Sequence, residues 1–156
     1  MPSIQSNEFG QVTFEASEIY LFPEGLPGFE DSKEYLLLRR EGFAPFCFLQ
    51  SVGDGALRFI CLPARAVDPA FCVDVGAEDA SELEIAAGCY GSADSEVEIL
   101  AILTIPKGGP ATANLFAPIV LAPATRRGRQ CIQFGSSAAA AHAIPWMVQP
   151  ELGVVA

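Results

Sequence analysis

The stretch PFCFLQSVGDGALRFICLP, Pro45–Pro63, decides how the chain is read. Two runs rich in aromatic and apolar residues, Pro45–Val52 and Leu57–Leu62, flank Gly53-Asp54-Gly55. Such residues suit a pleated, half-buried surface. A Gly-Asp-Gly linker is a strong hairpin turn signal. The stretch therefore predicts a β-hairpin closed by Pro63.

The same grammar repeats in both directions. Val12–Glu15, Ile19–Phe22, Tyr35–Arg40, Phe71–Val75, Ile99–Ile105, Leu115–Leu121 and Gln130–Phe134 read as further strands, separated by Gly, Pro and Asp turn signals. In Phe71–Val75 the alternation puts Phe71, Val73 and Val75 on one face and Cys72 and Asp74 on the other. Arg126-Arg127-Gly128-Arg129 reads as a basic tip between the last two strands. Short helices are expected at Glu78–Gly88, capped by Asp79 or Ser81 and stopped by Gly88, and at Ala138–Ala143. No helices of ten to fifteen residues alternate with the strands. The expectation is an all-β fold: a small antiparallel barrel-like or sandwich domain of about eight or nine short strands with one or two short helices. Residues 1–146 form one domain in this reading, and 147–156 a loose tail.

Composition narrows the function. Half of the 156 residues are hydrophobic (51%), which excludes a disordered chain. Nineteen acidic residues against nine basic ones give a net charge of −10. Phosphate backbones are bound mainly through Lys and Arg, so direct nucleic-acid binding is not expected. The same field attracts a basic protein. Cys47, Cys61, Cys72, Cys89 and Cys131 are odd in number and lack CxxC spacing. Cys47, Cys61 and Cys72 lie in apolar runs, where a thiol acts as a small hydrophobe. Reduced thiols, no apparent secretory signal and no membrane-length apolar run lead to the expectation of a cytoplasmic protein.

Catalytic patterns are sparse. His142 is the only histidine, so a Cys–His or Ser–His–Asp arrangement has one candidate base. There is no G-x-S-x-G elbow, Walker A loop or G-x-G-x-x-G loop. The reading is of a non-enzyme without metal or cofactor. Acids are the more informative group. Asp94, Glu96 and Glu98 stand at alternate positions and would share one face of a strand. With Glu78, Asp79, Glu82 and Glu84 they would form an acidic docking surface for a basic partner. In FPEGLPGFED, Phe22–Asp31, Pro27 fixes φ while Gly25 and Gly28 admit positive φ, presenting Leu26 and Phe29 as apolar contacts. In GPATANLFAPIVLAP, Gly109–Pro123, the lone amide of Asn114 is expected to bond local backbone where the chain enters the sheet. Pro118 belongs at an edge or bulge, because it cannot donate a ladder bond. A barrel enclosing a small apolar ligand is the alternative reading.

Taken together, FPEGLPGFED, PFCFLQSV with FICLPARAVDP (Phe59–Pro69), and ATANLFAPIVLAP (Ala111–Pro123) followed by Gln130 resemble the FliW family of flagellar assembly factors. Gly25, Pro27, Gly28, Gln50, Asn114 and Pro118 fall within these motifs. The resemblance implies a barrel-like cytoplasmic protein without enzymatic activity. It also implies two partners, the basic RNA-binding repressor CsrA and flagellin, with repression of flagellin synthesis relieved by binding.

Overall fold

A computed structural model describes residues 2–91, 94, 96–134 and 142–144. The Pro45–Pro63 stretch forms a hairpin, β5 (Cys47–Ser51) and β6 (Arg58–Pro63), with Gln50 opposite Arg58 and Cys47 opposite Cys61. Around it run β3 (Tyr20–Leu21), β4 (Glu34–Leu38), β9 (Glu98–Thr104), β10 (Thr112–Ala122) and β11 (Arg127–Gln130). The order is β11-β3-β4-β5-β6-β9-β10, and β10 pairs again with β11, so seven strands close into a barrel. All contacts within it are antiparallel except β11 with β3. A short β12 (His142–Ala143) adds to the outside of β10.

Two further pairs sit apart from the barrel sheet: a hairpin of β1 (Ser3–Ser6) with β2 (Gly10–Thr13), and β7 (Cys72–Val75) with β8 (Gly88–Gly91). The link between β7 and β8 carries the helix α2 (Ala77–Leu83), and a single turn, α1 (Ala64–Val67), follows β6. Alternate residues of the barrel strands serve two cores. Tyr20, Tyr35, Leu49, Cys61, Leu100 and Ile119 belong to a cluster that fills the barrel. The opposite face of the same strands, including Leu36, Phe48, Ile60 and Val120, packs with Phe14 of the N-terminal segment, Val73 of β7 and Leu83 of α2. The interior is occupied by these side chains, which removes the support for an enclosed apolar ligand.

The all-β architecture is as the sequence predicts, but several boundaries move. Twelve strands form among the described residues rather than eight or nine; β1 and β8 are too short and polar to stand out. The helix expected at Glu78–Gly88 spans Ala77–Leu83, behind Gly76 and with no side-chain cap. Glu84, at φ 58°, takes the left-handed stop expected of Gly88. The strand expected at Gln130–Phe134 begins instead at Arg127, so two of the tip arginines are strand residues. Of the helix expected at Ala138–Ala143, His142 and Ala143 pair in β12; residues 138–141, like the tail 147–156, lie outside the described residues. Cys72 is exposed, not an apolar filler, because it occupies the outward face of the alternation read in FCVDV.

Candidate protein-docking surface

Three polar devices hold the barrel's loops, and they coincide with the sequence motifs. Gln50 has no exposed surface. Its Oε1 accepts the Ser6 hydroxyl at 2.9 Å, and its Nε2 lies 3.1 Å from the carbonyls of both Ser51 and Leu57. The Asp54 N–H donates to Ser51 Oγ at 3.1 Å. One buried amide thus ties the Gly53-Asp54-Gly55 turn to the N-terminal hairpin. A buried amide so partnered avoids the penalty of about 1–3 kcal/mol for an unmade bond.

Asn114 and Pro118 bracket a bulge. Between the pairs Asn114–Ile102 and Ile119–Leu100, β10 advances five residues while β9 advances two. The displaced backbone is nonetheless partnered. Asn114 Oδ1 accepts the Ala117 N–H at 3.0 Å, and Gln130 Nε2 donates to the Ala117 carbonyl at 2.9 Å. Phe116 and Pro118 carbonyls accept the N–H groups of Gln133 and Cys131. Pro118, which has no N–H, occupies the bulge, as expected.

The Pro23–Asp31 loop is a tight turn. Phe29 N–H donates to the Leu26 carbonyl at 2.7 Å across Pro27-Gly28, with Gly28 at φ 86°. Glu30 accepts the Gly28 N–H at 2.9 Å. Gly25 is at φ 66°, and a Cβ there would lie 2.7 Å from the Glu30 backbone. The apolar pair separates: Leu26 is a core residue, while Phe29 is 44% exposed and packs edge-on against Phe59. Leu26 is thus not available as a surface contact.

The predicted acids divide in the same way. Asp94, Glu96 and Glu98 do not form a row on a strand. β9 begins only at Glu98, and Asp94, still exposed, accepts the Gly91 N–H in a local turn. Glu98 is paired with Arg39. The acids of α2 do share one surface, together with Glu24 and two arginines of β11. Arg129 bonds Asp79 at 2.6 Å and Glu24 at 3.1 Å, and reaches Glu78 at 4.0 Å; Arg127 lies 3.3 Å from Glu84. Burial works to lower the Arg129 pKa, but the carboxylates of Asp79 and Glu24 outweigh it and hold it above its ordinary value. Glu24, Glu78, Asp79, Glu82 and Glu84 against Arg127 and Arg129 leave three negative charges in excess.

Sequence reasoning missed the role of Gln133. It is buried, and its side chain accepts the Asp74 N–H at 2.8 Å and donates to the Asp74 carbonyl at 3.1 Å. It acts as one rung of a strand and fastens β7 to the chain beyond β11. A lone glutamine between exposed Ile132 and Phe134 is the available signal.

Cys47, Cys61 and Cys131 are buried, and burial raises all three thiols, Cys47 to about 11. Among the described residues no group of three or more His, Cys, Asp or Glu is placed to hold a metal ion. No helix among them is long and apolar enough to cross a membrane.

Fold and site define a small closed β-barrel whose buried amides bond its own backbone and which carries an acid-rich outer helix. The family model described as FliW protein matches residues 3–144, and the chain belongs to that family. It is 30% identical to the flagellar assembly factor FliW of Syntrophomonas wolfei over 98% of this chain and 96% of that one. It is 35% identical to the Natranaerobius thermophilus protein of the same name, over 83% of each chain. A solved structure, the crystal structure of the flagellar assembly factor FliW, superposes with a TM-score of 0.79 at 31% identity, covering 91% of this chain and 96% of the other.

Proposed function

We propose that this chain is a cytoplasmic flagellar assembly factor that acts by binding other proteins. Its partners in this reading are the basic RNA-binding repressor CsrA and flagellin. Binding of CsrA relieves repression of flagellin translation, and free flagellin competes for the factor. The observation that carries the reading is the α2 face, where exposed Glu78 and Glu84 and half-buried Glu82 lie on a charge-rich surface with an excess of carboxylates. A basic partner gains both steering and rim contacts from such a face. Arg127 and Arg129 hold the acids in place without neutralising them all. Asp94, Glu96 and exposed Phe29 are secondary contacts; Gly25, Pro27, Gly28, Gln50, Asn114 and Pro118 support the scaffold.

Pull-down with purified CsrA and flagellin, singly and in competition, tests this. Capture of each, with flagellin displacing CsrA, is expected. Failure to capture either partner at low salt overturns the reading.

A further inference from the structure

The barrel seam is incomplete at one place. β3 covers β4 only at Tyr35 and Glu34. Glu34 accepts the Val52 N–H, so the ladder to β5 uses the backbone groups of residues 34, 36 and 38. Those of residues 35, 37 and 39 point the other way. Tyr35 meets Tyr20, but the N–H and C=O of Leu37 and the N–H of Arg39 face no strand. β2 shows the same phase. Phe14 N–H donates to the Pro2 carbonyl, so residues 10, 12 and 14 face β1 and the backbone groups of Thr13 face away.

Both open edges border one groove of about 480 Å³, lined by Thr13, Phe14, Leu37, Arg39, Arg40 and Arg126 among others. Its charge opposes that of the molecule. Three of the chain's nine basic residues lie here; Arg39 is paired with Glu98, which leaves Arg40 and Arg126, and Glu18 is the only acid in the lining. Arg40 sits over the Phe9 ring at 5.3 Å and Arg126 over the Tyr20 ring at 3.8 Å, and neither has a carboxylate partner among the described residues. An exposed edge with free N–H and C=O groups is a template for an added strand.

We propose that this groove receives an extended, acidic segment of a partner protein as an extra strand between β2 and β4. Its backbone bonds Leu37 and Thr13, and its carboxylates meet Arg40 and Arg126. The groove shares no residue with the α2 face and is of opposite sign, so it does not depend on CsrA binding.

The test uses the intact chain and a fluorescein-labelled peptide alternating glutamate and valine. A lysine–valine peptide, and a glutamate–valine peptide N-methylated at every second amide, are the controls. The glutamate peptide is expected to bind and to slow amide exchange at Leu37 and Thr13. N-methylation should weaken it about tenfold or more, as loss of several backbone bonds requires. Arg40→Glu should do likewise with the melting temperature unchanged. Leu37→Pro removes the outward N–H together with a half-buried side chain packed on the barrel cluster, so it is read against Leu37→Ala, which keeps the N–H: Leu37→Ala should bind like the parent chain and Leu37→Pro more weakly. No binding at millimolar peptide, equal binding of the lysine or N-methylated peptide, or protection elsewhere overturns the proposal. So does binding seen only after residues 145–156 are removed, which would give the groove to the chain's own end.

Discussion

The Asn114–Pro118 bulge and the α2 face both place polar groups on an apolar scaffold, and they use them in opposite ways. At the bulge both polar side chains have a local task. Asn114 and Gln130 take the two ends of the Ala117 peptide, and neighbouring carbonyls meet the 131–133 backbone. At α2 the carboxylates meet arginines about fifty residues away, and charge is left over. Partnered amides in a barrel wall contribute order, whereas surplus exposed charge contributes little to stability and remains free for a partner. Stability should therefore respond to changes in the barrel, and binding to changes at α2.

The largest effect that sharpens this contrast is expected at Gln50. Gln50→Ala leaves the Ser6 hydroxyl and the turn carbonyls without their buried partner, and should cost about 2–4 kcal/mol in denaturant unfolding. Gln50→Glu should not restore it, because the carboxylate lacks the donors that the turn needs.

Next is pH. The Cys47 thiol is raised from 9.0 to about 11, chiefly by burial. The folded state keeps its proton while the unfolded chain gives it up. The stabilising difference is present in full below about pH 9 and is lost as pH rises to about 11, amounting to about 2–3 kcal/mol for this group. Buried Cys61 and Cys131 act in the same direction. Thermal melts across this window should show the loss, and Cys47→Ala should reduce it, with Cys61 and Cys131 accounting for what remains. A flat profile in the parent chain would mean that the barrel interior is open to solvent.

Asn114→Ala should lower stability by about 1–2 kcal/mol by freeing the Ala117 N–H. Asn114→Asp, which keeps an acceptor, should recover part of that. Smallest is Arg127→Ala, whose partner Glu84 is largely exposed; a change of about 0.5 kcal/mol or less is expected. A larger loss there than at Asn114 would reverse the comparison.

The two regions also differ in how far they could be read beforehand. The bulge was legible because its signals are local: an amide and a proline four residues apart in an apolar run permit few arrangements. The Gly53-Asp54-Gly55 hairpin and the Leu26–Phe29 turn were legible for the same reason. The role of Leu26 was not, since a turn fixes the backbone without saying which of its apolar side chains enters the core. Nor was the pairing of α2 with β11, which depends on barrel closure bringing Arg129 beside Asp79. The period-two acids of Asp94–Glu98 misled because the strand starts at the last of them. The open edge at Leu37 follows from the shortness of β3, which an apolar run through Ile19–Phe22 conceals.

In the proposed function, binding falls to α2 and support to the barrel. Calorimetric titration of purified CsrA into the Glu78→Gln/Glu82→Gln/Glu84→Gln variant, at low and physiological salt, tests it most directly. The expected result is an unchanged melting temperature, affinity about tenfold weaker at low salt, and a smaller salt dependence than the parent chain. Parent-like affinity and salt dependence in that variant would contradict it.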